Sequence, residues 1–266
     1  MMEPILDVKQ LCMDFGGLRA LNEVDFKIFE GEITALIGPN GAGKTTFFNC
    51  ISGIYKPTAG QVTMRKPGGS STVTVNGFRP SKVASLGMTR TFQNIRLFQN
   101  MTVLENVMIG RHPRTNSGIF GSLLRTSKMM NEEKSIVEDS FKLLEKMELA
   151  ELANEFAKNL SYGAQRRLEI ARAMAGDPFL ILLDEPAAGM NPQETLELDE
   201  LIRKIRDVDK ISILLIEHDM KLVMNISDRI YVLDYGTIIA SGNPDHIRTN
   251  KAVIKAYLGE EENAQA

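Results

Sequence analysis

Residues 38–46 read GPNGAGKTT, and this stretch limits the fold more than any other in the chain. Gly38, Gly41 and Gly43 let the backbone curl so that successive N–H groups face one centre, with Pro39, Asn40 and Ala42 at the positions between. Lys44 adds a mobile positive charge for β- and γ-phosphates. Thr45 offers a hydroxyl to Mg²⁺, and Thr46 continues into the following element. Such a loop needs a buried strand before it and a helix after it, whose N-terminal dipole end faces the anion. Both flanks are present. GEITALIG reads as a buried strand, and KTTFFNCISGI as a helix ended by Gly53 and followed by Pro57. The loop therefore predicts an α/β fold that holds a nucleotide phosphate at the end of a strand.

The other half of such a site is an acid after a buried strand. FLILLDEP supplies it: Asp184 is placed to hold Mg²⁺, directly or through water. Glu185, one residue on, points to the other side of the strand end, where it orients and polarises an attacking water. ISILLIEHD is a second continuous apolar strand, ending at His218, which has two readings: a structural strand-end residue, or a donor placed to reach a γ-phosphate. Gln93, in TRTFQNIRLF, stands where sheet gives way to helices, and its carbonyl suits Mg²⁺ or water.

The remaining pattern fills in the framework. ILDVKQL and NEVDFKIF alternate apolar and polar residues and predict antiparallel strands with one wet face. GQVTM and STVTVNG predict a hairpin around a polar loop, RKPGGSS. From Met101 to Asn159 the period turns helical. TVLENVMIGRH begins with a Thr cap and Glu105, and NEEKSIVEDSFKLLEKMEL sets Ile136, Val137, Phe141, Leu144 and Met147 on one face, predicted to pack into the core. TNSGIFGSLLRTS reads as a loop and broken helix. NPQETLELDELIRKIRD predicts a helix between the two apolar strands, RIYVLDYGTIIASG a hairpin over Tyr235–Gly236, and GEEENAQA a disordered tail.

Composition excludes other classes. The net charge of -3 in 266 residues, with no Lys/Arg run, gives no footprint for nucleic acid. Cys12 and Cys50 do not make a disulfide framework, and His112, His218 and His246 lie far apart without ligand spacing. No apolar run is long enough to cross a bilayer and no signal peptide is visible, so work at a membrane would go through a partner.

LSYGAQ at residues 160–165 opens a second amphipathic helix with Ser161 at its N-terminus, a second place for a phosphate. Ser161 and Gly163 have two readings: an ordinary capped helix, or a surface that closes over the phosphate loop of another copy in a two-fold sandwich.

In this order, GPNGAGKTT, Gln93, LSYGAQ, LLLDEP and His218 resemble the ATP-binding subunits of ABC transporters over nearly the whole chain. The resemblance implies a P-loop NTPase of the ABC nucleotide-binding type with an N-terminal antiparallel β subdomain and an inserted helical subdomain. The expected division is a β and RecA-like core over 1–93 and 173–242, a helical subdomain over 94–172, and C-terminal helices and tail over 243–266. It makes GPNGAGKTT the Walker A motif and Asp184 the Walker B acid. Glu185 becomes the catalytic carboxylate, His218 the switch histidine and Gln93 the Q-loop residue. Ser161, Tyr162, Gly163, Ala164 and Gln165 become the signature presented to an opposing subunit, and Phe15 the aromatic that stacks on adenine. The implied reaction is hydrolysis of ATP with Mg²⁺.

More narrowly, FGGLRALNEV, TRTFQNIRLF, MTVLENVMIG, YGAQRRLEIARAMAGDP and LDEPAAGMNPQET resemble the LivG-type subunit of branched-chain amino acid importers. That implies leucine, isoleucine and valine as cargo and integral-membrane permease subunits as partners. It also implies a LivF-like second ATPase or a second copy in the sandwich, an indirect link to a periplasmic or extracellular binding protein, and a peripheral place on the cytoplasmic face of the cell (inner) membrane. Urea or lipopolysaccharide as cargo, or a soluble ABC ATPase outside transport, are the alternatives. Three positions depart from the family pattern. The signature carries Tyr162 and Ala164 where Gly and Gln are usual, and the loop after Walker B offers Asn191 where Asp is usual.

Overall fold

The computed structural model describes residues 3–111 and 127–263. Strands β1 (Leu6–Phe15) and β2 (Leu18–Ile28) pair antiparallel. Strand β4 (Ala59–Arg65) joins the free edge of β1, and β5 (Thr72–Thr74) joins β4, giving the order β2-β1-β4-β5. Their alternation buries one side, as in Val8, Val24, Phe26 and Val62, and wets the other.

The second sheet has the order β10-β9-β3-β8-β7-β6. Its central strands, β3 (Ile33–Ile37), β7 (Leu180–Asp184) and β8 (Ser212–Ile216), are buried at every residue. Parallel strands covered on both faces need near-continuous apolar side chains, which ITALI, LILLD and SILLI supply apart from the buried polar residues Thr34, Asp184 and Ser212. β6 (Met88–Arg90) and β9 (Arg229–Asp234) extend the parallel set, and β10 (Thr237–Gly242) turns back antiparallel on β9. Tyr235 and Gly236 both have positive φ, 41° and 77°, as a tight two-residue hairpin turn requires.

Two apolar layers lie on the two faces of that sheet. Helix α1 (Lys44–Ile51) follows the phosphate loop and lies between the sheets, where Phe47, Phe48 and Ile51 join Phe26, Leu36, Leu182 and Leu214. Short α2 (Pro80–Ser85) adds Val83. Helices α3 (Val103–Arg111), α4 (Ser127–Lys146) and α5 (Tyr162–Met174) contribute to the other layer. So do α6 (Pro192–Asp207), α7 (Met220–Ile226), α8 (Pro244–Thr249) and α9 (Lys251–Asn263). The start of α3 carries the expected box: Thr102 N donates to Glu105 Oε2 at 2.7 Å, and Glu105 N to Thr102 Oγ1 at 3.2 Å.

Two expectations are corrected. Of the face expected on α4, Leu144 and Met147 are buried and Ile136 is half-buried, but Val137 and Phe141 are exposed. The buried stripe runs through Ser140 instead, because α4 contacts α3 and α5 along a narrower strip than its apolar residues cover. Nor is the tail disordered from Gly259, since α9 continues through Asn263. Asn250 accepts from Ala252 N at 2.9 Å to start it, Val253 and Tyr257 seat it on the core, and its Ala, Lys and Glu residues favour helix. The predicted loop and broken helix TNSGIFGSLLRTS lies outside the described residues, apart from Ser127, which begins α4.

Candidate nucleotide site

The phosphate loop leaves β3 through Gly38, which no other residue can replace without displacing main chain. A Cβ there would lie 1.9 Å from Leu233 O on β9, and one on Gly43 would lie 2.7 Å from Ala20 O. Both glycines also have positive φ, 154° and 105°. Ala42 O accepts from Gly236 N at 2.9 Å, so the β9–β10 turn anchors the loop from behind. Lys44 is buried. Its ammonium donates to Gly38 O at 2.6 Å and Pro39 O at 2.8 Å, which holds it across the loop.

Residues 40–46 line one side of a cleft of about 370 Å³, and Gln93, Glu185 and His218 line the other. A larger cleft of about 1110 Å³ lies among α6, α7, α8 and α9, but it lacks the phosphate loop, so the smaller cleft is the candidate site. Glu185 is the focus of that site. One carboxylate oxygen accepts from Gln93 Nε2 at 2.8 Å, and the other lies 2.7 Å from His218 Nε2. Its backbone φ is +45°, a costly conformation for a non-glycine residue, held by Glu185 N donating to Ile216 O at 2.9 Å.

Asp184 turns the other way and is buried. Its Oδ2 accepts from Arg90 Nη2 at 2.6 Å, while Arg90 also reaches Asn49 Oδ1 at 2.7 Å and lies over the Phe48 and Phe92 rings. The neighbouring acid, Glu217, is buried as well. It accepts from Ala187 N at 2.7 Å and His218 N at 3.0 Å, tying the chain after Asp184 to the chain carrying His218. Burial pushes the Glu217 carboxyl above its ordinary range, against the pull of those N–H groups. Neither Arg90 nor Glu217 was singled out from the sequence. The available signals were an Arg three residues before Gln93 and an acid directly before His218.

The residue types suit Mg²⁺. Thr45 is exposed at the start of α1, Asp184 keeps Oδ1 clear of its Arg90 bond, and Gln93 spends its amide on Glu185, which leaves Oε1 for a cation. Among the described residues no group of three His, Cys, Asp or Glu could cage a metal. Few protein oxygens, completed by substrate phosphates and water, is the arrangement Mg²⁺ favours.

Other expected site residues lie apart from this cleft. Ser161 is exposed and caps α5, its Oγ accepting from Ala164 N at 3.4 Å. Tyr162 is exposed and its ring faces Gly189, Gly163 lies beside Glu194, Ala164 is buried, and Gln165 Nε2 donates to Leu160 O at 3.0 Å. None of residues 161–165 lines the phosphate cleft. Phe15, 42% exposed at the end of β1, meets Tyr55 edge-on at 5.4 Å. Asn191 caps α6 in a reciprocal box with Glu194.

The arrangement offers a cradle for a polyphosphate, oxygens for a hard cation and a carboxylate able to take a proton from water.

Comparison with known proteins agrees. Residues 21–188 match the family model described as ABC transporter. Residues 237–263 match the model described as branched-chain amino acid ATP-binding cassette transporter. The chain is 51% identical to the high-affinity branched-chain amino acid transport ATP-binding protein LivG of Salmonella typhimurium, covering 98% of this chain and 100% of that one. It is 47% identical, with the same coverage, to the corresponding protein BraF of Pseudomonas aeruginosa. The solved ADP conformation of an ATP-binding cassette of an ABC transporter superposes with a TM-score of 0.81 at 31% identity, over 97% of this chain and 99% of that one. With that motif set, that fold and relatives at this identity, the chain belongs to the ABC transporter family, as one of its ATP-binding subunits.

Proposed function

We propose that this chain hydrolyses ATP to drive a membrane importer of leucine, isoleucine and valine. The reading is carried by one observation: a single carboxylate, Glu185, is held at 2.8 Å by Gln93 and 2.7 Å by His218 in the cleft that the phosphate loop opens onto. The N–H groups of residues 41–46 and the α1 dipole bind the β- and γ-phosphates, and Lys44 swings from its carbonyl partners onto them. Thr45, Asp184 and Gln93 would hold Mg²⁺, which when bound would supply positive charge to the β- and γ-phosphates. Glu185 takes a proton from water as the water oxygen bonds to the γ-phosphorus and the bond to the β-phosphate oxygen cleaves. ADP and phosphate leave. His218 fixes the Glu185 carboxylate and donates to the charge that develops on the γ-phosphate. Phe15 stacks on adenine.

Residues 161–165 lie outside this cleft with Ser161 exposed, which favours the reading in which they close over the γ-phosphate of an opposing subunit. That subunit is a LivF-like ATPase or a second copy. On the far side of Gln93 a cleft of about 470 Å³, lined by Ile54, Phe92, Arg96, Phe98 and Ile109, fits an amphipathic helix of the permease. Its position beside the Gln93 segment lets hydrolysis be felt at the cytoplasmic face of the membrane. No helix among the described residues is long and apolar enough to cross a bilayer, so the permease supplies the span.

The test is the chain with its permease subunits in sealed vesicles, assayed for uptake of labelled leucine. ATP-dependent leucine uptake is expected, with urea not taken up. Glu185→Gln should cut ATP turnover by about 10²–10⁴-fold while leaving ATP affinity intact. Turnover at the wild-type rate would remove Glu185 from the mechanism, and uptake of urea in place of leucine would overturn the cargo.

A further inference from the structure

Helix α5 is capped by Ser161 and buries two opposite charges in its second and third turns. Arg166 is 0% exposed and Glu169 is 1% exposed. Arg166 Nη1 donates to Glu169 Oε2 at 2.8 Å and to Phe92 O at 2.8 Å. Its Nη2 donates to Gln93 O at 3.0 Å, to Glu185 O at 3.3 Å and to Tyr162 Oη at 3.5 Å. Glu169 completes the grip from the other side, since its Oε1 accepts from Phe92 N at 3.4 Å and Arg96 N at 3.3 Å. One ion pair therefore holds main chain on both sides of Gln93 and the main chain of Glu185. Those are the two residues whose side chains meet at 2.8 Å in the cleft.

Stability does not account for it. A buried pair loses its hydration and is commonly matched or bettered by apolar residues of similar size. Here burial raises the Glu169 carboxyl above its ordinary range even with Arg166 beside it, and Arg166 Nε is left without a partner. What the guanidinium supplies that an apolar residue cannot is a planar fork reaching three carbonyls at fixed angles. Glu185 needs that support, because its φ of +45° is strained and its carbonyl is one of the three.

We infer that Arg166 is a positioning residue for hydrolysis: from α5 it sets the Gln93 and Glu185 backbones so that their side chains meet over the phosphate loop. The inference rests on the reading of Glu185 as the proton acceptor. It also ties the helix that starts at Ser161 to the carboxylate as one rigid unit, so that contact made at Ser161 is transmitted to Glu185.

The test uses the full chain, with melting temperature, affinity for a fluorescent ATP analogue, kcat and KM measured together. In Arg166→Met/Glu169→Met the pair is replaced by side chains of similar volume. The expected result is a folded protein that binds the analogue as the wild type does, with kcat lowered about 30-fold, since a displacement on the order of 1 Å costs about a hundredfold. Arg166→Lys keeps the charge beside Glu169 but loses the fork. It should lower kcat about tenfold with KM unchanged, and in a Gln93→Ala background it should cost little more, because the two residues act as one unit. A folded double variant with wild-type kcat overturns the inference, as does full multiplicativity of Arg166→Lys with Gln93→Ala. Failure of both Arg166 variants to fold makes the pair structural and overturns it equally. Glu185→Gln run alongside separates the two ideas. Wild-type turnover there sinks the reading of Glu185. An inactive Glu185→Gln with a fully active Arg166→Lys sinks only the role of Arg166.

Discussion

Glu217 shows how one buried acid ties two segments of a candidate site together without lining its cleft. Its carboxylate gathers the N–H groups of Ala187 and His218, so the chain after Asp184 and the chain carrying His218 are joined through one side chain. Burial holds its proton more tightly in the folded chain than in the unfolded one. That contribution to stability is complete below the ordinary Glu range and is lost as pH rises through the raised folded value. The wild type should therefore lose ground against Glu217→Gln as pH rises from about 4.5 to 8, read as the difference of their melting temperatures. A difference that stays flat across that range would show that Glu217 titrates alike in both states. At this scale the sequence was readable where a residue's place follows from a motif, as for Lys44 in the phosphate loop and Asp184 and Glu185 at the end of β7. Arg90 and Arg166 were not, since an Arg in a strand or helix looks like a solvated charge until its partners, Asp184 in one case and Glu169 in the other, are seen around it.

Elements divide in the same way. Near-continuous apolar runs marked β3, β7 and β8, because a strand covered on both faces has few polar positions to disguise it. Helix α4 was harder to orient. Its apolar residues span more of the circumference than its neighbours cover, so periodicity alone could not say which would be buried. Leu144→Ala should cost about 2–5 kcal/mol of stability by urea unfolding, whereas Val137→Ala should lie within about 0.5 kcal/mol of the wild type. Equal losses would return Val137 to the core. Asn191, at the position where the family usually has Asp, serves its own helix here: its side chain accepts from Gln193 N at 2.9 Å and Glu194 N at 3.0 Å. Asn191→Ala should cost about 1 kcal/mol, and Asn191→Asp close to none, by the same measurement.

At the scale of the whole molecule, two sheets share α1, and the helices stack on the opposite face of the parallel sheet. That layering puts the phosphate loop, Gln93, Glu185 and His218 on one cleft and leaves Ser161 exposed outside it. A site lacking the groups meant to close it should be completed by association. Glu185→Gln with ATP and Mg²⁺ should therefore elute from gel filtration at twice the monomer mass, alone or mixed with a LivF-like partner, and return to the monomer on removal of Mg²⁺. Replacing Ser161 by a bulky Glu should abolish that shift while leaving the melting temperature near the wild-type value, since Ser161 is exposed. A monomer under every one of these conditions would refute the shared site.

The sequence by itself determined the α/β class, the phosphate loop with its strand and helix, the acids after the apolar strand and the family, because each of these is local. A loop that must curl around phosphate, or a strand with no wet face, writes its requirement into neighbouring residues. The tertiary structure alone decided which side of α4 is buried, that Arg90 neutralises Asp184, that Glu217 joins two loops, and that Arg166 grips the main chain at Gln93 and Glu185. Those pairs lie up to 94 residues apart in Arg90–Asp184. A buried charge is tolerable only where the fold brings its partner to it, and that meeting is set by the layering of sheets and helices.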